Sequence, residues 1–374
     1  MSGFNLKRLG IVMDAEPGNP MEEEGVLNPA AARGPDGALY LFPRLVARGN
    51  FSRIGIVRVR FDDSGNPCGV KRIGIALEPE EDYELRPDGG GCEDPRVTFV
   101  EPMKRYVMSY TAFGPQGPRI ALAVSVDLIH WTRLGLASFA PCQGIEFENV
   151  DNKDASLFPV EIPNPSGHPH LAILHRPLFA GTLPEDTVLS PRGRAVDLHR
   201  ESIWISYASI SRLCSGEPHP GHFYLHHRLA APEWPWECLK IGGGTPPVLT
   251  RHGWLIVYHG VCGVSGPRGQ GPNFCYSAGV MVLSKEHPRK ILYRSREPVL
   301  TPSLPEERSG VVPNVVFPTG IDRRDDIGKP DRFDVYYGMA DRRIGVARLD
   351  LPERIPAPEA EYGKRPLIEA AGCV

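Results

Sequence analysis

A degenerate unit recurs five times along the chain, and this recurrence limits the possible folds more than any other feature. Each copy has a short entry motif, an apolar strand, a turn and a second strand of alternating character. The entry motifs lie at residues 28–30, 93–96, 152–159, 240–249 and 315–320. Units of short strands that repeat at this kind of interval favour a radial array of small sheets. The pattern therefore predicts an all-β fold, a five-bladed β-propeller.

The composition favours the same fold. The 374 residues include 40 glycines and 39 prolines, well above the usual share, which argues for many short strands joined by turns. A sandwich or a barrel would also give alternating strands, but it would not repeat an entry motif with a strand pair. We expect one five-bladed propeller domain over residues 1–374, with residues 1–27 and 353–374 as extensions that wrap the domain or form a homo-oligomer contact.

Charge and cysteine spacing exclude several classes of protein. The formal net charge is only -3, which does not favour a nucleic-acid or membrane-surface partner. Residues 1–10 do not show the apolar segment of a signal peptide, and no apolar run is long enough for a membrane helix. The eight cysteines show no metal-ligand spacing and are typical of reduced, buried thiols. These features predict a cytoplasmic protein without a metal.

The stretch at residues 89–96, GGGCEDPR, is the best candidate for chemistry. Glycines let the backbone approach a ligand, and Pro95 holds Asp94 in a stiff, extended strand entry. A carboxylate on a rigid element beside a glycine loop suits proton transfer. The structural alternative is an Asp-Pro turn in which Glu93 and Arg96 form a surface ion pair.

In a propeller, equivalent loops from all blades lie at one end of the central channel. Polar residues of the entry motifs and of the following strand ends would therefore converge there. These residues are Asn28, Arg44, Asp94, Lys153, Asp154, Arg176, Lys240, Tyr258, His259 and Asp341.

Four members of this set are basic or can become so: Lys153, Arg176, Lys240 and His259. Each alone is better explained as a surface charge or a core histidine, but four at one channel mouth indicate an anion site. Cleavage of a glycosidic bond needs an acid and a nucleophile. A hydrolase would show a second carboxylate, whereas a phosphorylase needs cations to hold phosphate. The basic set favours phosphorolysis with Asp94 as the acid.

The ordered motifs resemble glycoside hydrolase family 130, the inverting β-mannoside phosphorylases and related β-mannosidases. The resemblance covers residues 25–350 and rests on residues 93–96, 152–154, 175–177, 242–249, 254–260 and 337–341. It implies a five-bladed propeller that cleaves a manno-oligosaccharide or other mannoside with inorganic phosphate, giving α-mannose 1-phosphate. Phosphate is a co-substrate, and no cofactor is implied.

The resemblance also assigns roles to residues. It implies that Asp94 is the general acid, acting through a sugar hydroxyl, and that Lys153, Arg176, Lys240 and His259 bind phosphate. Contacts to the mannose are implied for Asn28, Arg44, Asp154 and Asp341, and we expect Tyr258 to join them.

Two other functions stay open. One is a β-mannosidase on the same scaffold with Glu146, Glu148 or Asp151 as the base, and the other is a glycan-binding propeller without catalysis. An insertion at residues 180–201 and the segment at residues 160–163 differ from the pattern of the family. They leave the acceptor sugar and the β-1,2 or β-1,4 linkage undecided.

Overall fold

The computed structural model describes residues 3–179, 200–210, 221–264 and 273–356, and β-strands dominate this part of the chain. The strands are numbered from β1 (Leu6–Met13), which belongs to the last blade. The helical elements are α1 (Pro305–Arg308) and four 3-10 turns at Pro20–Glu22, Glu101–Met103, Pro235–Glu237 and Asp325–Ile327. None of the helices in the described ranges has the length and apolar character needed to cross a membrane.

Blades 1 and 2 share one continuous sheet. Blade 1 consists of β2 (Gly25–Arg33), β3 (Leu39–Ala47), β4 (Phe51–Phe61) and β5 (Pro67–Leu77). Blade 2 consists of β6 (Gly90–Val100), β7 (Arg105–Gly114), β8 (Gly117–Ser125) and β9 (Thr132–Leu136). Within each blade, neighbours pair antiparallel, and a short parallel pairing of β4 with β6 joins the two.

Blades 3 and 4 form separate sheets. Blade 3 consists of β10 (Ser138–Phe139), β11 (Asp151–Leu157), β12 (Ile162–Pro163), β13 (Pro169–Leu178), β14 (Ile203–Ala208) and β15 (His222–Ala230). Blade 4 consists of β16 (Lys240–Gly242), β17 (Val248–Thr250), β18 (Gly253–Val264), β19 (Asn273–Leu283) and β20 (Ile291–Arg294). The two predicted loop segments of these blades, residues 180–201 and 263–273, lie largely outside the described residues.

Blade 5 is built from both ends of the described chain. It consists of β21 (Val316–Arg324), β22 (Lys329–Met339) and β23 (Arg343–Asp350), and β1 pairs antiparallel with β23 as the outermost strand. The segment at residues 6–13 thus completes the last sheet by hydrogen bonds.

Apolar side chains form five buried clusters, one between each pair of successive blades. Examples are Phe42 with Met108 between blades 1 and 2, and Val26 with Val346 between blades 5 and 1. Because successive residues of a strand point to opposite faces, Ile256 joins the cluster toward blade 3 while Val257 joins the cluster toward blade 5. Five interfaces for five blades close the ring, so the predicted all-β five-bladed β-propeller is confirmed.

The entry motifs are inner strands rather than loops, and this differs from the prediction. In β2, β6 and β11 the antiparallel register shifts at one place, as in a β-bulge. At that place Asn28, Asp94 and Asp154 have φ of 44°, 46° and 55°, so the extended conformation expected for Asp94 before Pro95 is wrong. Asn and Asp tolerate this left-handed conformation better than most residues, which explains why the sequence reads like a turn.

The cysteines depart in part from the expectation of reduced, buried thiols. Cys92 is free and buried, whereas Cys68 and Cys238 are free and exposed. Cys142 is disulfide-bonded. The expectation of a reduced thiol is therefore wrong for Cys142, and that of burial is wrong for the two exposed residues.

Candidate active site

Asp94 is held by groups from blade 1. The amide of Asn28 donates a hydrogen bond to it (Nδ2 to Oδ1, 2.9 Å), and the guanidinium of Arg44 lies 3.4 Å from the same oxygen. Burial by itself would raise the pKa of Asp94, but the charges of Arg44 and Arg96 and the Asn28 hydrogen bond outweigh it and lower that pKa. Before any ligand binds, Asp94 is therefore a carboxylate.

Asp341 is a second carboxyl group on the same side of the site. It lies just after β22, with φ of 50°. Burial raises its pKa to about 6, the negative charges of Asp94 and Glu93 add to this, and Arg44 opposes it. Two carboxyl groups near Arg44 thus have pKa values pushed in opposite directions, an arrangement typical of acid-base sites.

Glu93 and Arg96 do not form a surface ion pair with each other. Both are buried, with 2% and 1% of their surface exposed. Glu93 binds Arg44 at 2.8 Å and lies 3.8 Å from the ammonium of Lys153. The structural alternative for residues 93–96 is therefore wrong. Glu93 instead lies between two cationic side chains, Arg44 of blade 1 and Lys153 of blade 3.

Arg96 connects blade 2 to the inner strands of other blades. Its guanidinium donates to the carbonyl oxygens of Gly243 and Gly244, both at 3.0 Å, and to that of Asp94 at 2.8 Å. It also lies 3.4 Å from Asp154. Nothing in the sequence pattern places Arg96 at the centre of the site, since an arginine after a proline is ordinary on a surface.

Asp154 is hydrogen-bonded to the guanidinium of Arg176 and positions that group. Its Oδ2 accepts a hydrogen bond of 2.6 Å from Arg176 Nε and lies 3.7 Å from His259 Nε2. Only 2% of Asp154 is exposed. Burial would raise its pKa, but Arg176 and the neighbouring bases hold that pKa well below the ordinary value. The carboxylate is thus committed to these bases, and the expected direct contact of Asp154 with a sugar stays a prediction.

His259 lies beside Arg176 with both ring nitrogens unpartnered among the described residues. Its ring packs on Phe317 at a centroid distance of 4.3 Å. Burial lowers its pKa to about 3, and Arg176, Arg96 and Lys240 add to this while Asp154 opposes it. The imidazole is therefore neutral near pH 7, and it offers hydrogen bonds rather than charge. A buried polar group without a hydrogen-bond partner is a candidate for contact with a ligand.

Lys153 and Lys240 supply the flexible charges of the site. Their side chains are 27% and 28% exposed. The ammonium of Lys153 lies 5.2 Å from the Phe113 ring centroid, and that of Lys240 lies 5.7 Å from the ring of Tyr276. Burial, with repulsion from Arg176 and Lys153, lowers the pKa of Lys240 to about 8.

Glu201 is a functional candidate that sequence reasoning missed. Its carbonyl oxygen accepts a hydrogen bond of 3.1 Å from the amide of Ile241 in β16. Its carboxylate contacts Arg176 Nη1, and Oε1 lies 3.9 Å from Lys240 Nζ. Glu201 ends the predicted insertion and belongs to no motif, so only the fold brings it to these bases.

Tyr258 does not belong to the site, and its predicted role is wrong. It is fully buried in the cluster between blades 3 and 4, on the opposite face of β18 from His259. Its hydroxyl donates to Glu237 at 2.8 Å and accepts from Arg294 at 3.2 Å. The strict alternation of a strand would have separated it from His259.

The partners of Tyr258, Glu237 and Arg294, belong to a pattern that recurs in four blades. In each, a buried glutamate before the inner strand pairs with an arginine of the outermost strand. The pairs are Glu22 with Arg72, Glu84 with Arg133, Glu237 with Arg294, and Glu307 with Arg8. This pairing fixes the loop before each inner strand to the outer edge of its blade.

The three acids proposed as a hydrolytic base have local partners. Glu148 accepts from the amide of Phe139, and Glu146 accepts from the amide of Glu148. Asp151 binds Arg119 at 2.7 Å. No contact in the described ranges joins these acids to Asp94 or Arg176. Glu201, by contrast, contacts Arg176 and lies near Lys240.

Together, these contacts join the predicted residues into one site with two sides. One side contains the carboxyl groups of Asp94 and Asp341, together with Asn28 and Arg44. The other side contains four residues suited to binding an anion, which we call the anion cluster: Lys153, Arg176, Lys240 and His259. Arg96 and Glu93 link the two sides. Such a site can give a proton to a leaving group and hold an oxyanion nearby.

Known proteins match most of the length of this chain. The family model of glycoside hydrolase family 130, described as beta-1,4-mannooligosaccharide phosphorylase, matches residues 7–355. A 1,2-beta-oligomannan phosphorylase from Thermoanaerobacter sp. (strain X514) is 31% identical over 361 residues, 94% of this chain and 99% of the relative. A beta-1,2-mannobiose phosphorylase from the same strain is 31% identical, covering 71% of this chain and 69% of the relative.

Solved structures share the fold. The beta-1,2-mannobiose phosphorylase from Listeria innocua, solved with beta-1,2-mannobiose, superposes with a TM-score of 0.66. The match covers 93% of this chain and 97% of that structure at 21% sequence identity. At this identity the likeness bears on the architecture alone.

Proposed function

The chain belongs to glycoside hydrolase family 130, and on that premise we propose that it cleaves a β-mannoside with inorganic phosphate, by inversion, to give α-mannose 1-phosphate. The observation that carries the proposal is the anion cluster beside Asp94. A hydrolase has no need of this cluster, whereas an inverting phosphorylase must hold a phosphate on the face of the sugar opposite the bond that its proton donor helps to break. The names of the relatives support a mannoside as the substrate.

In the proposed reaction, phosphate bound by Arg176, Lys240 and Lys153 attacks the anomeric carbon from the face opposite the glycosidic oxygen. The bond from that carbon to the glycosidic oxygen breaks as the bond to phosphate forms. The leaving oxygen takes a proton that comes from Asp94 by way of a sugar hydroxyl. Asn28, Arg44 and Asp341 orient the mannose at the carboxyl side.

Asp94 needs a proton to act as the acid, yet the surrounding protein groups lower its pKa. Part of that lowering comes from Lys153. A phosphate beside Lys153 brings negative charge that offsets the lysine, and a sugar over Asp94 excludes water. Both changes raise the pKa of Asp94. Phosphate binding therefore prepares the acid that the reaction uses.

Glu201 favours a second candidate function, an inverting β-mannosidase. A carboxylate in contact with Arg176 and near Lys240 lies where an attacking water would be activated. In that reaction phosphate has no role, and loss of Glu201 would abolish turnover.

The deciding experiment incubates the protein with β-1,2- and β-1,4-linked manno-oligosaccharides, with and without phosphate. We expect mannose 1-phosphate only when phosphate is present, and no product from Asp94→Asn, which keeps the shape of the side chain. Free mannose at equal rates in both conditions would select the hydrolase. Binding of the sugar without any turnover would select the glycan-binding propeller. The cytoplasmic location, the single domain over residues 1–374 and the homo-oligomer stay predictions.

A further inference from the structure

Glu201 presents an unexpected carboxylate to the anion cluster. Its backbone is bound to β16 through Ile241, so the residue is anchored beside Lys240. Its side chain is 25% exposed, while that of Arg176, which it contacts, is 6% exposed. A negative group at the entrance of an anion site weakens the binding of any fully ionised anion by repulsion. The carboxylate therefore needs a role that offsets this cost.

The cost disappears if the anion carries a hydrogen. Near neutral pH, inorganic phosphate always carries at least one, and a carboxylate accepts it in a short, charge-assisted hydrogen bond. Sulfate has a similar size and shape but carries no hydrogen at this pH. A sulfate oxygen would face a carboxylate oxygen of Glu201 with no hydrogen between them, and the two negative charges would repel.

We propose that Glu201 accepts the hydrogen of bound hydrogen phosphate and thereby excludes sulfate and other fully ionised oxyanions. The proposal rests on the proposed phosphorolysis and assigns the form of phosphate that the site takes. Arg176 is the shared partner, because its Nε is bound to Asp154 and its Nη1 contacts Glu201. The guanidinium thus lies between two carboxylates, and only one of them, Glu201, has an exposed side available to a ligand.

The test compares sulfate with phosphate in the same assay of phosphorolysis. The measured quantity is the ratio of the inhibition constant of sulfate to the KM of phosphate. In the unaltered protein we expect a high ratio, with arsenate, which also carries a hydrogen, replacing phosphate as a substrate. Glu201→Gln removes the charge and adds an amide donor, so we expect the ratio to fall about tenfold to a hundredfold.

Two variants frame this result. Glu201→Asp keeps the carboxylate and should keep sulfate excluded. Glu286→Gln makes the same chemical change on the exposed turn after β19 and should leave the ratio unchanged. A lower ratio in Glu201→Gln alone supports the proposal, and an unchanged ratio overturns it.

A readout on the unaltered protein does not depend on any variant folding. Strong competitive inhibition by sulfate, at concentrations near the KM of phosphate, would also overturn the proposal. Absence of phosphate-dependent turnover would instead reject the proposed function itself, so the two failures are distinguishable. Loss of phosphate-independent turnover in Glu201→Gln would assign Glu201 to the hydrolase.

Discussion

The amide of Asn28 donates a hydrogen bond to the carboxylate of Asp94, across 66 positions of sequence and from one blade to the next. Both residues occupy left-handed bulges of inner strands. The bulges turn the two side chains toward each other, so a local feature of two separate strands builds the contact.

Loss of the Asn28 amide should raise the pKa of Asp94, because the hydrogen bond stabilises the ionised form. If Asp94 must be protonated to act, the alkaline limb of the pH-rate profile moves to higher pH in Asn28→Gly. Asn28→Ala should show the same limb with lower stability, since alanine is strained at φ of 44° whereas glycine is not. An unchanged limb in both variants would contradict a role of the amide in setting the pKa of Asp94.

Asp341→Asn should move the same limb in the opposite direction. Above its pKa of about 6, Asp341 is ionised and its charge opposes ionisation of Asp94. Removing that charge lowers the pKa of Asp94, so activity should fall at lower pH than in the unaltered protein. The pH dependence of kcat/KM for the mannoside measures this. A shift to higher pH would show that the two carboxyl groups do not interact as described.

Lys240 should make phosphate use sensitive to alkaline pH. Its lowered pKa of about 8 means that the ammonium is charged below that pH and loses its charge as the pH rises through it. We expect kcat/KM for phosphate to fall across this range. Lys240→Arg keeps a charge and should remove the fall, while Lys240→Met should be low throughout. Parallel profiles in the unaltered protein and Lys240→Arg would contradict this assignment.

Tyr258→Phe should affect stability and leave substrate use intact. The change removes a buried hydroxyl that is bonded to Glu237 and Arg294, which costs about 1 to 2 kcal/mol of unfolding free energy. Tyr207→Phe is the matched control, because the hydroxyl of Tyr207 is equally buried and has no hydrogen-bond partner among the described residues. Denaturant unfolding and the two KM values test the pair. A raised KM in Tyr258→Phe would return the residue to the site.

Closure of the ring by β1 should be measurable through Leu6. This side chain is 4% exposed and packs in the cluster between blades 4 and 5. Leu6→Ala should cost about 2 to 5 kcal/mol of unfolding free energy. Ile11→Ala, on the same strand but 41% exposed, should cost far less. Equal losses in the two variants would mean that β1 does not close the last blade through its buried face.

The architecture could be predicted from sequence because the strand pairs themselves repeat. In the second copy, the entry motif at residues 93–96 is followed by β7 (Arg105–Gly114) and its antiparallel partner β8 (Gly117–Ser125), as the repeated unit predicts. The bulges were harder, since Asn-Pro and Asp-Pro sequences indicate turns as readily as bulged strands.

The site was predictable where residues sit in the repeated unit, and not elsewhere. Asn28, Asp94 and Arg176 hold defined places in the unit, so the fold alone brings them together. Glu201 has no such place, and its contact with Arg176 depends on tertiary structure. The prediction for Tyr258 was wrong because it placed Tyr258 in the site together with its neighbour His259, although adjacent residues of a strand face opposite ways.

The pairing of β1 with β23 has a consequence for how the protein is made. The ribosome synthesises β1 before the other described strands and its partner β23 after them, so the ring cannot shut until β23 has emerged. Until then Asn28 and Asp94 can come into contact within the first two blades. The basic side chains of blades 3 and 4, however, are not yet held in position by a closed ring. A nascent chain is therefore expected to gain its activity in one late step rather than blade by blade.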